Sequence, residues 1–436
     1  MIISAGNEPY AMAKKESKFN KLINRYDFLK NVMVLLSGSS IALLIPFLIT
    51  PILTRFFTPE NFGLWGTYSA VVGIFAVIAC GRYELALLLP KEEKKAMNMY
   101  AGALLISLLL SIFLLIPIYF FGKSFSEKVG FPDLSNWLYI VPIALFTNGI
   151  IQASNYWHNR NKKFNVLSVG RIIQSSSTAS SNLAIGKFTY FPGGLIVSTV
   201  LGQILLSIFY VVRMRIFSLW RYVSMAEIKS VLKEYREFPV KSGAGIFLNI
   251  LKEQIPIFLL GYYFDAVVVG FYTLIIRLFG VPLTLLAGSI GQVYYQKAVE
   301  MNNAGKSLFR MYSKTTLRML AFLALPVAAV MIWGGSIFGF VFGQEWAEAG
   351  QILVIFTIYY AIRFVISSQS SLLLVFKKLG IELAFNSIAL VLQLGSLIIG
   401  ALQNDYYLSL YLMSITGSVI YAMLGIYLWV YLKTRK

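Results

Sequence analysis

The stretch Ser242–Ile290, SGAGIFLNILKEQIPIFLLGYYFDAVVVGFYTLIIRLFGVPLTLLAGSI, decides the fold. It contains two apolar runs, 242–262 and 267–290, separated by a connection so short that the chain must turn straight back. A run of about 20 apolar residues crosses the hydrocarbon of a bilayer as a helix. Each run carries a cation near its middle: Lys252, with Glu253 beside it, and Arg277. A third cation, Arg363, sits inside a later run, 349–376. A charge at the centre of a membrane helix costs at least roughly 2.5–3.5 kcal/mol on insertion scales, so it persists where it faces a cavity or a partner. The three cations point to a path through a membrane for something negative.

Working outward, the same pattern recurs along the chain. Further apolar runs read as spans at 31–54, 62–82, 97–121, 137–157, 165–186, 193–212, 317–340, 379–402 and 407–432, which brings the total to twelve. With 58% hydrophobic and 13% charged residues among 436, a soluble domain is excluded. The formal net charge of +19 suggests nucleic acid until the charges are located, because they fall between apolar runs and not along one face. Cys80 has no cysteine partner, and His158 leaves no His/Cys metal cluster. No phosphate-binding glycine loop, G-x-S-x-G or H-E-x-x-H is present, so neither ATPase nor hydrolase chemistry is expected. Residues 1–30 are polar and basic and lead into a full-length span, unlike a cleavable signal. Within them, 19–29 reads either as an amphipathic surface segment or as a plain cytosolic tail.

The distribution of basic residues orients the spans. With the N-terminus in the cytoplasm, 31 of the 38 Lys and Arg fall in cytoplasmic segments, and only Arg55, Lys123, Lys128 and Lys187 fall outside. The remaining three are Lys252, Arg277 and Arg363. Both termini are therefore expected in the cytoplasm. The expected organisation is a cytoplasmic tail (1–30), a six-helix bundle (31–212), a basic cytoplasmic linker (213–241), a second six-helix bundle (242–432) and a short tail (433–436). The halves echo each other. FFTPENFGLW at 56–65 aligns with YFDAVVVGFY at 263–272, where Gly63 and Gly270 take equivalent places. Six spans per half give the repeats one orientation, related by an axis along the membrane normal.

The motifs Phe238-Pro239, Gln254 with Pro256, Gly270-Phe271-Tyr272, Arg277, Pro282 and Gln292, together with GRYELALLLP at 81–90, occur in order across the chain. In these the chain resembles the flippases that move polyprenyl-diphosphate-linked O-antigen or capsule repeat units, in the multidrug/oligosaccharidyl-lipid/polysaccharide exporter superfamily. The resemblance implies an all-α integral membrane protein of twelve transmembrane helices in two six-helix bundles around a central cavity. It also implies alternating access in a bacterial cytoplasmic membrane, driven by an ion gradient or the membrane potential. The implied ligand is a polyprenyl-diphosphate-linked oligosaccharide, with a polysaccharide polymerase and chain-length proteins as further partners besides membrane lipid. No cofactor is expected beyond coupling to H+ or Na+.

Helical spacing refines the sites. Steps of three and four through Lys252 pass Ser242, Gly245, Asn249 and Pro256, a small and polar face; those through Glu253 pass Ile246, Ile250, Ile257 and Leu260. Lys252 is accordingly expected on the cavity, with Glu253 toward a neighbouring helix as counter-charge or proton site. Arg277 aligns with Gly270, Thr273, Gly280 and Thr284, and Arg363 with Tyr360, Ser367 and Ser370. Arg171 aligns with Gln174, Thr178 and Ser181. Lys252, Arg277 and Arg363 are the leading candidates for substrate binding. Arg171 and Arg82 are the first half's candidates, and Glu253 is the candidate for ion coupling. For Arg82, snorkelling to headgroups is an equal alternative. Arg55 and aromatics such as Trp65 and Tyr406 are expected to anchor the interface. A multidrug exporter of organic cations would need more buried carboxylates than Glu253, and a polysaccharide polymerase or ligase a larger outer loop than 122–136.

Overall fold

The computed structural model describes residues 38, 40–214 and 220–434, and for 240–245, 379 and 382 the backbone alone. The tail 1–30, its segment 19–29, the start of the first span, the end of the tail 433–436 and the side chain of Ser242 lie outside the described residues. All regular structure among the described residues is helical. The first half supplies α1 (Ser40–Leu53), α2 (Pro59–Ala76), α3 (Glu93–Lys128), α4 (Val141–Arg160), α5 (Phe164–Phe188) and α6 (Gly194–Met214). A short helix, α7 (Met225–Glu234), precedes α8 (Glu237–Tyr263), α9 (Ala266–Asn303), α10 (Phe309–Phe342), α11 (Ala347–Ser367), α12 (Leu379–Leu402) and α13 (Tyr406–Thr434). The twelve expected spans each find a helix, six in each half. In the first half α5 packs on α6 and α3 on α4; in the second, α10 packs on α11 and α12 on α13. Side chains such as Phe120, Phe322 and Leu325 project outward from α3 and α10, as the lipid-facing surface of such a bundle requires.

Eight of these helical segments are long and apolar enough to cross a membrane by length and composition alone. The others are α1, of which Ser40–Leu53 is described, and α2, α5 and α8. These last three are interrupted by Thr, Ser, Gln, Asn, Arg or Lys. All three line the central cavity, so their polarity is what a wet interior demands.

The two halves meet where α2 crosses α9. Both helices open on a polar cap: Asn61 Oδ1 accepts from the Thr58 amide at 3.3 Å, and Asp265 Oδ1 from the Val268 amide at 2.9 Å. Thr58 and Asp265 are equivalent in the internal repeat. So are Pro59 and Ala266, Gly63 and Gly270, and Gly66 and Thr273. A Cβ on Gly63 would overlap the Ala266 carbonyl oxygen, and one on Gly270 the carbonyl oxygen of Pro59. A Cβ on Gly66 would overlap the Thr273 hydroxyl. The contacts are reciprocal, as a two-fold axis running along the helices requires. Close backbone approach through small residues is how helices associate without a hydrophobic driving force between them. Beside the crossing, Trp346 donates to the Thr54 carbonyl at 3.3 Å and lies edge-on to Phe62, with centroids 4.9 Å apart. Arg55, expected as a membrane anchor, instead donates to the Phe340 carbonyl at the end of α10, 3.2 Å away. This end of the bundle is closed.

At the other end, the segment read as a basic linker is docked against the first half. Ile228 and Val231 of α7 are buried, and Leu232 packs where Gly102 of α3 leaves room. Lys94 pairs with Glu227 at 2.8 Å and Lys95 with Glu234 at 2.7 Å. Asn98 bridges the Tyr222 carbonyl and the Ser224 amide. The segment's amphipathic periodicity places apolar residues on α3 and leaves the charges outside.

Gly270→Val and Gly66→Leu are expected to destabilise the protein by about 1–3 kcal/mol each, by overpacking. The measurement is the thermal unfolding midpoint in detergent. Gly288→Ala on the same helix, where a Cβ meets nothing within 4 Å, leaves the midpoint unchanged.

Candidate functional site

A cavity of about 420 Å³ lies between the halves, beginning at Gly66 and Thr273 of the crossing and lined by α1, α2, α5, α6, α8 and α9. Arg277 enters it from α9. It stands 11 residues from the start of that helix, so it is about 16 Å deep at 1.5 Å per residue, near the middle of a bilayer core. Its guanidinium stacks over the ring of Trp65, 4.9 Å from the centroid. Trp65 is held in turn by its Nε1, which donates to Thr199 Oγ1 at 2.9 Å. Gln174, Ser175 and Thr178 of α5 and Gln254 of α8 complete the polar wall. None of the lining residues is an acid. Among the described residues no hydrogen-bond acceptor or carboxylate meets Arg277, so its planar fork of N–H donors faces the cavity.

The polar stripe expected along α9 is broken. Thr273 and Arg277 line the central cavity, whereas Gly280 and Thr284 line a second one. The reason is a π-turn over Ile276–Gly280, in which the Val281 amide reaches back five residues to the Ile276 carbonyl. One wide turn inserts roughly one residue and rotates the two flanks relative to each other by about 100°.

The second cavity, about 270 Å³, lies inside the C-terminal half among α8, α9, α11, α12 and α13. Arg363 donates through Nη2 to Glu253 Oε1 at 2.8 Å and through Nη1 to the Tyr359 hydroxyl at 3.2 Å. Lys252 donates to Asn386 Oδ1 at 2.9 Å. Lys252 and Glu253 both border the cavity, but not as helical spacing predicts. Lys252 is 6% exposed, and its ammonium is tied across to α12, while the Glu253 side chain is 39% exposed. The long, flexible lysine stem carries the charge away from the face on which its Cα sits. Glu253 does meet a neighbouring helix as a counter-charge, on α11. The stripe through Arg363 holds for Tyr360 and Ser367, which with it line a small cavity between α9 and α11, while Ser370 lies beyond the end of α11.

The first-half candidates lie elsewhere. Arg171 sits one turn from Gln174 on α5, outside the lining of both cavities. Arg82 takes a left-handed backbone with φ 64° after Gly81, just before the 3₁₀ turn Tyr83–Leu88, and pairs with the buried Glu84 at 3.3 Å. Neither cavity includes it. Trp65, expected in the interfacial aromatic belt, belongs to the central cavity. The available signal was its place among Gly66, Ser69 and Gly73, a small and polar face of α2.

Glu253 and Arg363 are expected to couple by about 1–3 kcal/mol in a double-mutant cycle of thermal stability. Glu253→Gln and Arg363→Met each lower the midpoint alone, and the double variant recovers part of the loss.

A family model described as "Polysaccharide biosynthesis protein" matches residues 52–351. No curated protein matches the chain. Among solved structures, the chain is similar to an inward-facing multidrug resistance MATE family transporter of the MOP superfamily, with TM-score 0.68, 15% identity, and 92% of this chain and 98% of that chain covered. It is similar to the lipid II flippase MurJ in an inward closed conformation, with TM-score 0.71, 13% identity, and 91% and 87% covered. A MATE multidrug transporter in an outward-facing conformation superposes with TM-score 0.57 at 16% identity over 94% and 96% of the two chains. The twelve-helix, two-bundle fold with its cavity between the halves is thus that of MOP-superfamily transporters, and the chain belongs to the polysaccharide biosynthesis protein family.

Proposed function

We propose that this protein is a flippase. It moves polyprenyl-diphosphate-linked oligosaccharide repeat units from the cytoplasmic to the outer leaflet of a bacterial inner membrane by alternating access. The observation that carries this reading is Arg277, a guanidinium at mid-membrane depth, stacked on Trp65 and met by no carboxylate in an acid-free cavity. An arginine so placed is costly unless a ligand supplies the missing charge. A diphosphate does so, because its oxygens match the guanidinium fork. Trp65, Gln174 and Gln254 offer the mixture of ring face and amide that a glycan uses. The hydrocarbon tail stays in lipid, trailing from the side of the cavity. Organic cations, the ligands of a multidrug exporter, are disfavoured by the same electrostatics.

Orientation follows from the basic residues, which put both termini in the cytoplasm and the α2–α9 crossing at the outer face. The closed crossing with a cavity beneath it supports an inward-facing state. The greater likeness to an inward-facing relative than to an outward-facing one agrees with this. Lys252 and Arg363 extend the basic lining toward the second cavity, and Arg171 and Arg82 lie toward the cytoplasmic approach. Glu253 is the ion-coupling residue.

Arg277→Ala is expected to leave the protein in the membrane at its normal level. It should remove a charge-assisted contact of about 1.5–3 kcal/mol, which is roughly 10- to 150-fold in headgroup binding. Surface polysaccharide should fall accordingly, and lipid-linked precursor should accumulate on the cytoplasmic leaflet. Arg277→Lys, which keeps the charge but not the fork, should recover part of the activity. Normal surface polysaccharide in Arg277→Ala would overturn the reading.

A further inference from the structure

The second cavity differs from the first in one respect: its guanidinium already holds a carboxylate. We propose that Arg363 is a second oxyanion seat, occupied at rest by Glu253 and yielded to the diphosphate of the transported headgroup as it leaves Arg277. The inference rests on the flippase reading above. A carboxylate and a phosphate present the same pair of oxygens to an arginine fork, so Glu253 stands where the ligand's oxygens would bind. Arg363 is its only hydrogen-bond partner among the described residues, at 2.8 Å, and the Glu253 side chain is 39% exposed, so packing does not lock it in place. Lys252, by contrast, is buried and tied to Asn386, and it stays behind as fixed positive charge. With Glu253 ionised the cavity's three charged groups sum to one positive charge, which draws an anion in.

The two cavities adjoin. Gln254, Ile257, Ile276 and Val281 line both, so an oxyanion released from Arg277 crosses only the α8–α9 junction to reach Arg363. Once displaced, Glu253 remains beside the bound anion as a like charge. That repulsion keeps the second seat weak enough for onward release, which a transporter needs and a binding protein does not. Tyr359 holds the arginine's orientation while its partner changes, through its hydroxyl at 3.2 Å from Nη1 and its ring 5.9 Å from the guanidinium.

The test is calorimetric titration of the purified full-length protein with inorganic pyrophosphate. Wild type is expected to bind one equivalent, at Arg277. Glu253→Gln, which vacates the second seat, is expected to bind two, and Glu253→Gln/Arg363→Met to return to one. Arg277→Ala/Glu253→Gln should retain one. One equivalent of unchanged affinity in Glu253→Gln overturns the proposal, as does weakened binding in Arg363→Met alone, since Arg363 would then already be serving the ligand. Should Glu253→Gln not fold, Glu253→Asp draws the carboxylate back by one methylene and is expected to admit a second, weaker equivalent; none counts against the proposal. Wild-type binding by Arg277→Ala would instead refute the role given to Arg277. The gain in Glu253→Gln would still report on Arg363.

Discussion

Where α2 crosses α9 the two backbones touch, because Gly63, Gly66 and Gly270 put no side chain between them. In lipid, apolar side chains gain little by leaving other apolar groups, so contact of this kind does what a hydrophobic core does in water. Much of the rest follows from it. The crossing closes one end of the molecule, and Trp65, next to Gly66, is brought over the guanidinium of Arg277 from the opposite half. A larger residue at any of the three glycines would run into atoms of the opposite half. Because the contacts are reciprocal between equivalent positions, the crossing is also the place where the internal repeat is visible as geometry.

The three mid-membrane cations occupy different electrostatic settings. Lys252 keeps its charge and donates to an amide oxygen, Arg363 pairs with a carboxylate, and among the described residues Arg277 meets neither. Glu253 and Arg363 are charge partners 2.8 Å apart, so removing one leaves the other's charge uncompensated. Among the described residues Arg277 has only the ring face of Trp65, a weaker partner, and is therefore the cation whose environment an anion would improve most. A single stripe of three equivalent cations would hold a diphosphate tightly at every point. On the proposed flippase reading, one arginine without a carboxylate and one paired with Glu253 in adjoining cavities make a graded path instead.

Much of this was legible in the amino-acid sequence. Twelve apolar runs and the repeat of 56–65 in 263–272 have their counterparts in the fold, because hydropathy and turn chemistry act over a few residues. On α11, Tyr360, Arg363 and Ser367 share a cavity as expected, and on α5 Gln174 and Thr178 line the central one while Arg171 lies outside it. The stripe on α9 did not hold, since no periodicity announces a π-turn at Ile276–Gly280. The linker's charges read as a solvated segment, but its buried Ile228 and Val231 dock it on α3.

The sequence by itself determined where the chain crosses the membrane, in which order, and which crossings carry charge, since each depends on the local cost of placing a residue in hydrocarbon. Only the tertiary structure decided which charge meets which. Glu253 and Arg363 lie 110 positions apart, and Trp65 and Arg277 belong to different halves. Their pairing follows from helix crossing angles, from a backbone contact that glycines permit and from one wide turn. Those are properties of packed helices, and no single helix contains them.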